Sequence, residues 1–248
     1  MMRLRGLVHV HSRLSYDGCH SVPELVALAR LRGYRFLAMA EHSDTLDAGT
    51  VARYAAECRR LSSEACVVVP GIEFACLGGL HLLGIGVDEY CDAVDPVEVA
   101  AHVRARGGAA IVAHPRRYRF RLPEGLLRRV HGVELWNAGY DGRFVPDGRC
   151  VALLREMRAR GIALLAYGGQ DLHRITWHRH VRVELEVAEA SERAVVGALR
   201  GGRFRVTNGW WTLDATGRSG ALARWGMGPT RWLYERAVAV RARLGVGA

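Results

Sequence analysis

The chain has 248 residues, half of them apolar, and a formal charge of +10 at pH 7; all 35 basic residues are arginine. A mean hydropathy near zero excludes both a disordered chain and a membrane-buried one, and this length suits one large α/β domain over 1–248. No apolar run approaches the roughly 20 residues of a membrane helix, so no membrane partner is expected.

The N-terminus has a basic start but neither a long apolar core nor a small-residue cleavage site. No signal peptide is read there, and the expected location is cytoplasmic. The six cysteines form no CxxC pair and read as small apolar thiols in a reducing compartment. Cys19 alone lies near a candidate site residue, Asp17. The basic balance favours anionic partners, from a small phosphate ester to nucleic acid.

The first predicted strand is Leu4 to His11. Ser21 with Glu24 three residues on forms a capping box, and Leu25, Leu28, Ala29 and Leu31 give the following helix its apolar stripe, ended at Gly33. Strand Phe36 to Ala40 delivers Glu41 and His42. Val51 to Glu64 is helical, and Val67 to Val69 leads to Gly71 and Glu73. His81 enters a strand over Leu82 to Val87. Pro96 opens a helix to Arg106, and Ala109 to Ala113 delivers His114. A short helix over Pro123 to Val130 precedes a strand over Val133 to Trp136, ending at Asn137. Asp141 to Gly148 is a loop, Arg149 to Arg160 a helix, and Ile162 to Tyr167 a strand before Gly168 and Gly169.

The part from 176 to 248 is less regular. Val181 to Val187 alternates like a strand with one wet face, Ser191 to Arg200 is a helix, Phe204 to Thr207 a strand, and Pro229 opens a last helix. Trp210, Trp211 and Trp232 are expected to bury area, with Trp225 among the same tail aromatics. Repeated strand-then-helix units predict parallel strands joined by right-handed crossovers, their loops gathered at the C-terminal ends.

Metal-type ligands fall where those strands end: His9-x-His11 with Asp17, Glu41-His42, Glu73 with His81, His114-Pro115 and Asp171-x-His173. Strand alternation turns His9 and His11 one way, and Asp171 and His173 likewise. Imidazoles with carboxylates are the ligand set of hydrolytic Zn, Mn or Fe centres. His178-x-His180 has similar spacing but no adjacent carboxylate, so it reads as a basic or loop pair.

These stretches resemble the PHP family, named for polymerase and histidinol phosphatase domains. The resemblance rests on His9-Val10-His11-Ser12, Asp17-Gly18, Glu41-His42-Ser43-Asp44, Gly71-Ile72-Glu73, His114-Pro115 and Asp171-Leu172-His173, in the family's order within residues 4 to 175. It implies an irregular (β/α)7 TIM-like barrel with two or three divalent metals, Mn, Zn or Fe, at one mouth. By that likeness His9, His11, Glu73 and Asp171 would hold the first ion, Glu73 would bridge to a second held with His81 and His114, and Asp17, His42 and His173 would hold a third. Glu73, His42 and His173 would be the catalytic residues. Family members often carry Thr-Asp-His where this chain has Ala40-Glu41-His42, which suits Glu41 to a supporting role better than to ligation.

The expected activity is hydrolysis of a small phosphorylated metabolite or nucleotide by a hydroxide bridging the metals. Arg116, Arg117, Asn137 and Arg13, with Tyr16, are the candidate substrate contacts, since a guanidinium forks onto phosphate oxygens. Glu134 is a candidate supporting acceptor. The alternatives are an exonuclease on short RNA or DNA using the same centre, and a non-catalytic domain that keeps the fold.

Overall fold

A computed structural model describes residues 1–243, apart from the side chains of 221–225 and 242. Trp225 is therefore outside the described side chains. In chain order the elements are β1 (Met2–Val10), α1 (Val22–Leu31), β2 (Phe36–Met39), β3 (Glu41–His42), α2 (Ala48–Leu61), β4 (Val67–Val69), β5 (Gly71–Ala75) and β6 (His81–Ile85). There follow α3 (Pro96–Ala105), β7 (Ala109–Val112), α4 (Glu124–Leu127), β8 (Gly132–Asn137), α5 (Ala138–Asp141), α6 (Gly148–Ala159) and β9 (Leu165–Gly169). The last part holds β10 (Arg182–Val187), α7 (Glu192–Arg200), β11 (Phe204–Thr207), β12 (Thr212–Asp214) and α8 (Ala221–Arg243).

The strands form two six-stranded sheets, ordered β12-β11-β10-β1-β2-β4 and β3-β5-β6-β7-β8-β9. Helix starts follow local chemistry. Ser21 and Glu24 make the predicted capping box on α1, and Asp47, Asp95 and Ser191 cap α2, α3 and α7. Strands β2, β4, β7 and β8 are buried at every residue, as strands covered on both faces must be. β10 alternates, with one wet face. The main core holds Phe36, Val67, Leu83, Ile111 and Trp136. A second cluster of Leu7, Leu25, Leu37 and Tyr54 lies under α1 and α2.

Three expectations are corrected. The strands are not all parallel: β5, β6 and β7 pair antiparallel, and so do β1, β10, β11 and β12. A tight turn explains the β5–β6 pair, because Gly78 and Gly79 at φ 73° and 71° reverse the chain there within a single 3-10 turn and no α-helical crossover. Gly168 and Gly169 lie inside β9 rather than after it. A Cβ on Gly169 would collide with the Glu134 carboxylate on β8, so glycine there makes room for a site residue. Pro229 does not open the last helix but sits within α8. The missing proline donor is tolerated in a turn where the Thr230 hydroxyl donates to the Gly226 carbonyl at 2.8 Å.

The tail adds a third strand, β12, to the two predicted, and its indoles divide. Trp211 packs against the core, whereas Trp210 is 73% exposed and Trp232 55%. Trp210 stacks on Phe144 with centroids 6.1 Å apart, and the Arg236 guanidinium covers Trp232. No described helix is long and apolar enough to cross a membrane.

The sheets are joined beside the ligand-bearing loops. Val10 bridges to Leu172, the His11 amide donates to the Leu172 carbonyl (3.0 Å) and the Leu172 amide to the His9 carbonyl (3.1 Å). The Gln170 amide donates to the Val8 carbonyl at 2.8 Å.

Backbone crowding inside the sheet is directly testable. Gly132 pairs with Ile111 and Leu165 on its two neighbours, and a Cβ there would strike the Leu165 carbonyl. Gly132→Ala is expected to lower unfolding stability by about 1–3 kcal/mol. Gly125→Ala, where a Cβ meets nothing within 4 Å, is expected to be neutral or stabilising by under ~1 kcal/mol, since it removes a helical glycine. Urea midpoints of the two variants measure both effects.

Candidate metal centre

Six strands, with the turns that follow them and the first loop, bring all nine sequence-predicted candidate ligands to one place. The Glu73 carboxylate on β5 is at its centre. Its Oε1 lies 2.8 Å from His81 Nδ1 and 2.9 Å from His114 Nε2. Its Oε2 lies 3.2 Å from His9 Nε2, 3.4 Å from His11 Nε2 and 3.2 Å from His42 Nδ1. Asp171 Oδ1 approaches His9, His11 and His173 at 3.5 to 3.7 Å. Asp17 reaches His173 Nε2 at 3.1 Å and His42 Nε2 at 3.5 Å.

Convergence does not come from simple strand alternation. His9 sits at a register shift between β1 and β2 with φ at 66°, and His114 and Asp171 are also in positive φ, at 27° and 52°. Bulges and left-handed residues re-aim side chains at a local energetic cost. Here that turns the rings of His9 and His11, with centroids 5.0 Å apart, towards the same carboxylate. His11 also stacks on His173 at 4.1 Å and on His42 at 4.5 Å.

A buried supporting layer fixes these rings. Glu134 on β8, fully buried, accepts from His9 Nδ1 (2.8 Å), the His114 amide (2.7 Å) and Asn137 Nδ2 (2.7 Å). Glu41 accepts from the Ser12 amide and from Ser15 Oγ at 2.7 Å. Ser15 Oγ in turn lies 3.1 Å from His11 Nδ1 and accepts from the His42 amide at 3.0 Å. Bonds at Nδ1 set the tautomer that turns Nε2 of His9 and His11 inward.

Those inward atoms lack partners. His9 Nε2, His11 Nε2, Glu73 Oε2 and His173 Nε2 are buried without a hydrogen bond. Buried polar atoms are otherwise nearly always satisfied, so four such orphans in one cluster fit a divalent metal centre. Burial opposes charge on His9, yet Glu134, Glu73 and Asp171 outweigh it and raise its pKa well above the usual histidine value. His11 is held well below that value, chiefly by burial. Glu73 also suffers burial, but charge on His9 and bonds from His114 and His81 keep it ionised. Four sets of three donors lie close enough to share an ion: His9-His11-Glu73, His9-His114-Asp171, His42-Glu73-His81 and His11-His42-His173.

The expected substrate contacts separate. Arg117 lines the open mouth beside the ligands, 3.2 Å from His81 Nε2. Arg116 does not. It turns towards the buried carboxylates of Asp141 (3.8 Å) and Asp147 (3.5 Å), because consecutive residues of a 3-10 turn point apart. Asn137 is buried behind the ligands, donating to Glu134 and, at 3.3 Å, to Asp171. Arg13 pairs with Glu24 at 3.4 Å and donates to the Cys19 carbonyl, away from the mouth. Cys19 is also outside the lining. Tyr16 does line the mouth, 68% exposed and stacked on His42.

Sequence reading missed Tyr140, Trp177 and Arg179, which complete the rim. Alternation across Trp177, His178, Arg179 and His180 was the available signal for two of them.

Comparison of the sequence with family models and with curated proteins finds no match. Solved structures do match. A two-domain protein from Bacteroides vulgatus, containing a predicted PHP-like metal-dependent phosphoesterase, superposes with a TM-score of 0.60 at 16% identity over 83% of this chain, which spans 65% of that longer one. PsfC from Pseudomonas syringae gives 0.60 at 16% identity, covering 96% of this chain and 100% of its own. The lesion-specific endonuclease EndoQ from Pyrococcus furiosus gives 0.56 at 14% identity, covering 83% and 58%. At such identities the likeness is one of architecture, and the architecture of this chain is that of the PHP-like metal-dependent phosphoesterases.

Proposed function

We propose that the chain is a metal-dependent phosphoric ester hydrolase, acting on a small phosphorylated metabolite or nucleotide. The observation that carries this reading is the Glu73 carboxylate enclosed by five imidazoles whose inward nitrogens are partly orphaned. In this reading the two sheets are the walls of an irregular (β/α)7 barrel, and the whole chain acts as one unit.

His9, His11, Glu73 and Asp171 would hold one divalent ion, and Glu73, His81 and His114 a second. Asp17, His42 and His173 would hold a third. Mn, Zn and Fe all suit this mixed nitrogen and oxygen set. Such ions, when bound, neutralise phosphoryl charge and acidify water. The chain supplies the rest. Glu134 locks the His9 ring and the His114 backbone. Arg117 offers its fork to the phosphoryl oxygens. The exposed rings of Tyr16, Tyr140 and Trp177 flank the mouth and suit a planar group on the leaving side, as a nucleotide carries.

A second reading, an exonuclease on short RNA or DNA, is favoured by one observation. Among the described residues the mouth is lined by residues between 16 and 179, none of them from β10 onward, and Arg174 stacks on the exposed Trp177 at the rim. Labelled oligonucleotides separate the readings: stepwise shortening that weakens with salt supports the nuclease, and cleavage of mononucleotides alone supports the phosphatase.

Metal analysis of the purified chain is expected to find at least two divalent ions per molecule. Metal at 100 times its dissociation constant should add about 2.7 kcal/mol to the unfolding free energy, seen as a rise in melting temperature that Glu73→Ala abolishes. An unchanged melting temperature with Mn2+ and with Zn2+ would contradict the metal centre.

With Mn2+ supplied, a panel of phosphomonoesters and nucleotides should show phosphate release that His9→Ala and Glu73→Ala reduce to background. Glu134→Gln should lower metal affinity or turnover by roughly 10–100-fold, as loss of a residue supporting a metal ligand does. Release equal in wild type and Glu73→Ala would sink the hydrolase reading.

A further inference from the structure

The segment between the 3-10 turn at Ile175–Trp177 and β10 separates two cavities. Trp177 and Arg179 line the metal mouth. The alternate residues, His178 and His180, line a second cavity of about 270 Å³ together with Arg5, Arg32, Tyr34 and Arg182. Arg5 comes from β1, Arg32 from the C-terminal end of α1 and Arg182 from the start of β10. Three separate pieces of chain, Arg5, Arg32 with Tyr34, and His178 to Arg182, thus bring three guanidiniums, two imidazoles and a phenol together.

No carboxylate lines this cavity. Glu184 occupies one edge of the Arg182 fork, accepting from Nε at 3.3 Å and lying 3.3 Å from Nη2, and leaves Nη1 free of it. Among the described residues neither Arg5 nor Arg32 has an ion-pair partner. Arg5 Nε donates to the Gly33 carbonyl at 2.7 Å, which uses one edge of its fork, and its Nη2 reaches the Arg32 carbonyl at 3.4 Å. Arg32 Nη1 donates to His178 Nδ1 at 3.3 Å, and His178 Nε2 lies 3.0 Å from the Tyr34 hydroxyl. Burial, with help from Arg32 and His180, pushes the His178 pKa down to about 4.

We propose that this cavity is a second anion site, separate from the metal centre, that takes one phosphoryl group on Arg5, Arg32 and Arg182. Guanidinium forks from three elements match a tetrahedral oxyanion's several acceptor oxygens. The volume is below the roughly 300 Å³ at which drug-sized ligand pockets begin, which suits a phosphoryl group with little attached. The phosphoryl group has two sources: free phosphate, or a second phosphate on a substrate whose reactive end is at the metals. The backbones of Trp177 and His180 are at most roughly 10 Å apart, so one extended ligand can reach both.

Calorimetric titration of the full chain, as purified, with inorganic phosphate tests the site. The expected result is a phosphate-binding event weakened about tenfold or more in the Arg32→Gln/Arg182→Gln variant and retained in Arg117→Gln. Arg32→Gln alone should give an intermediate loss, and melting temperatures check that the variants are folded. An isotherm unchanged in the double variant, or loss confined to Arg117→Gln, overturns the proposal. The source is read from kinetics, and only this arm rests on the hydrolase reading. A raised KM for a substrate bearing a second phosphate, with an unchanged KM for p-nitrophenyl phosphate, identifies the substrate's own phosphate. Unchanged KM for both, with the phosphate isotherm still lost, identifies free phosphate.

Discussion

A carboxylate buried at 1% exposure among five imidazoles is the constraint around which the rest is built. Glu73 cannot stay ionised in an apolar interior without compensating charge, since isolated buried charges are among the costliest groups in a protein. Protons can serve: Glu134, Glu73 and Asp171 raise the His9 pKa well above the usual histidine value despite its burial. Protons satisfy the charge but not the directions, and the orphaned nitrogens of His9, His11 and His173 point where no proton acceptor completes the geometry. Divalent ions would satisfy both, and their binding would then be coupled to the stability of this end of the molecule.

The surrounding layer makes that geometry rigid. Among the described residues, three of the five non-glycine positions with positive φ are His9, His114 and Asp171. Each is held by neighbours: His9 and His114 through Glu134, Asp171 through Asn137. The network continues outward. Asp141 accepts from the Asn137 amide at 2.9 Å, and Arg231 of α8 donates to the Asp141 carbonyl at 3.0 Å and pairs with Asp147 at 3.6 Å. Burial pushes the Asp141 carboxyl up to about 7 despite the Asn137 amide, Arg231 and Arg116. The C-terminal helix is thus tied to the layer behind the candidate ligands, although none of its described side chains lines the mouth.

The candidate ligand cluster was legible because its chemistry is sparse. Histidines paired with acids at strand ends have few structural uses, and all nine lie together in space. Helices were legible from caps and period. Strand direction was not, because a fully buried strand such as Ala109–Val112 presents the same apolar run whichever way it runs. Arg116 and Arg117 are neighbours of identical chemistry, and only the turn after Pro115 decides which one faces the mouth. Asn137 has the residue type of a substrate contact, yet the bulge between Glu134 and Trp136 sets its side chain behind the ligands. Indoles could not be sorted in sequence, since burying area and stacking need the same ring.

That sorting bears on what can enter. Burial of the tail tryptophans would have used them up as packing. Instead Trp210 stands exposed on Phe144, with Arg143 over the latter ring at 5.0 Å, around a cavity that His180 also lines. His180 is shared with the arginine cavity, and its neighbour Arg179 belongs to the metal mouth. One short extended segment therefore borders three cavities of alternating aromatic and basic character. Rings of this kind bind planar groups whatever their sequence, and guanidiniums bind the phosphates between them. A substrate consisting of a single phosphate on a small aliphatic alcohol would use only the mouth. One with a planar ring and a further phosphate would use the segment as well, and so would gain binding energy remote from the reacting bond, which is where an enzyme can turn size into selectivity.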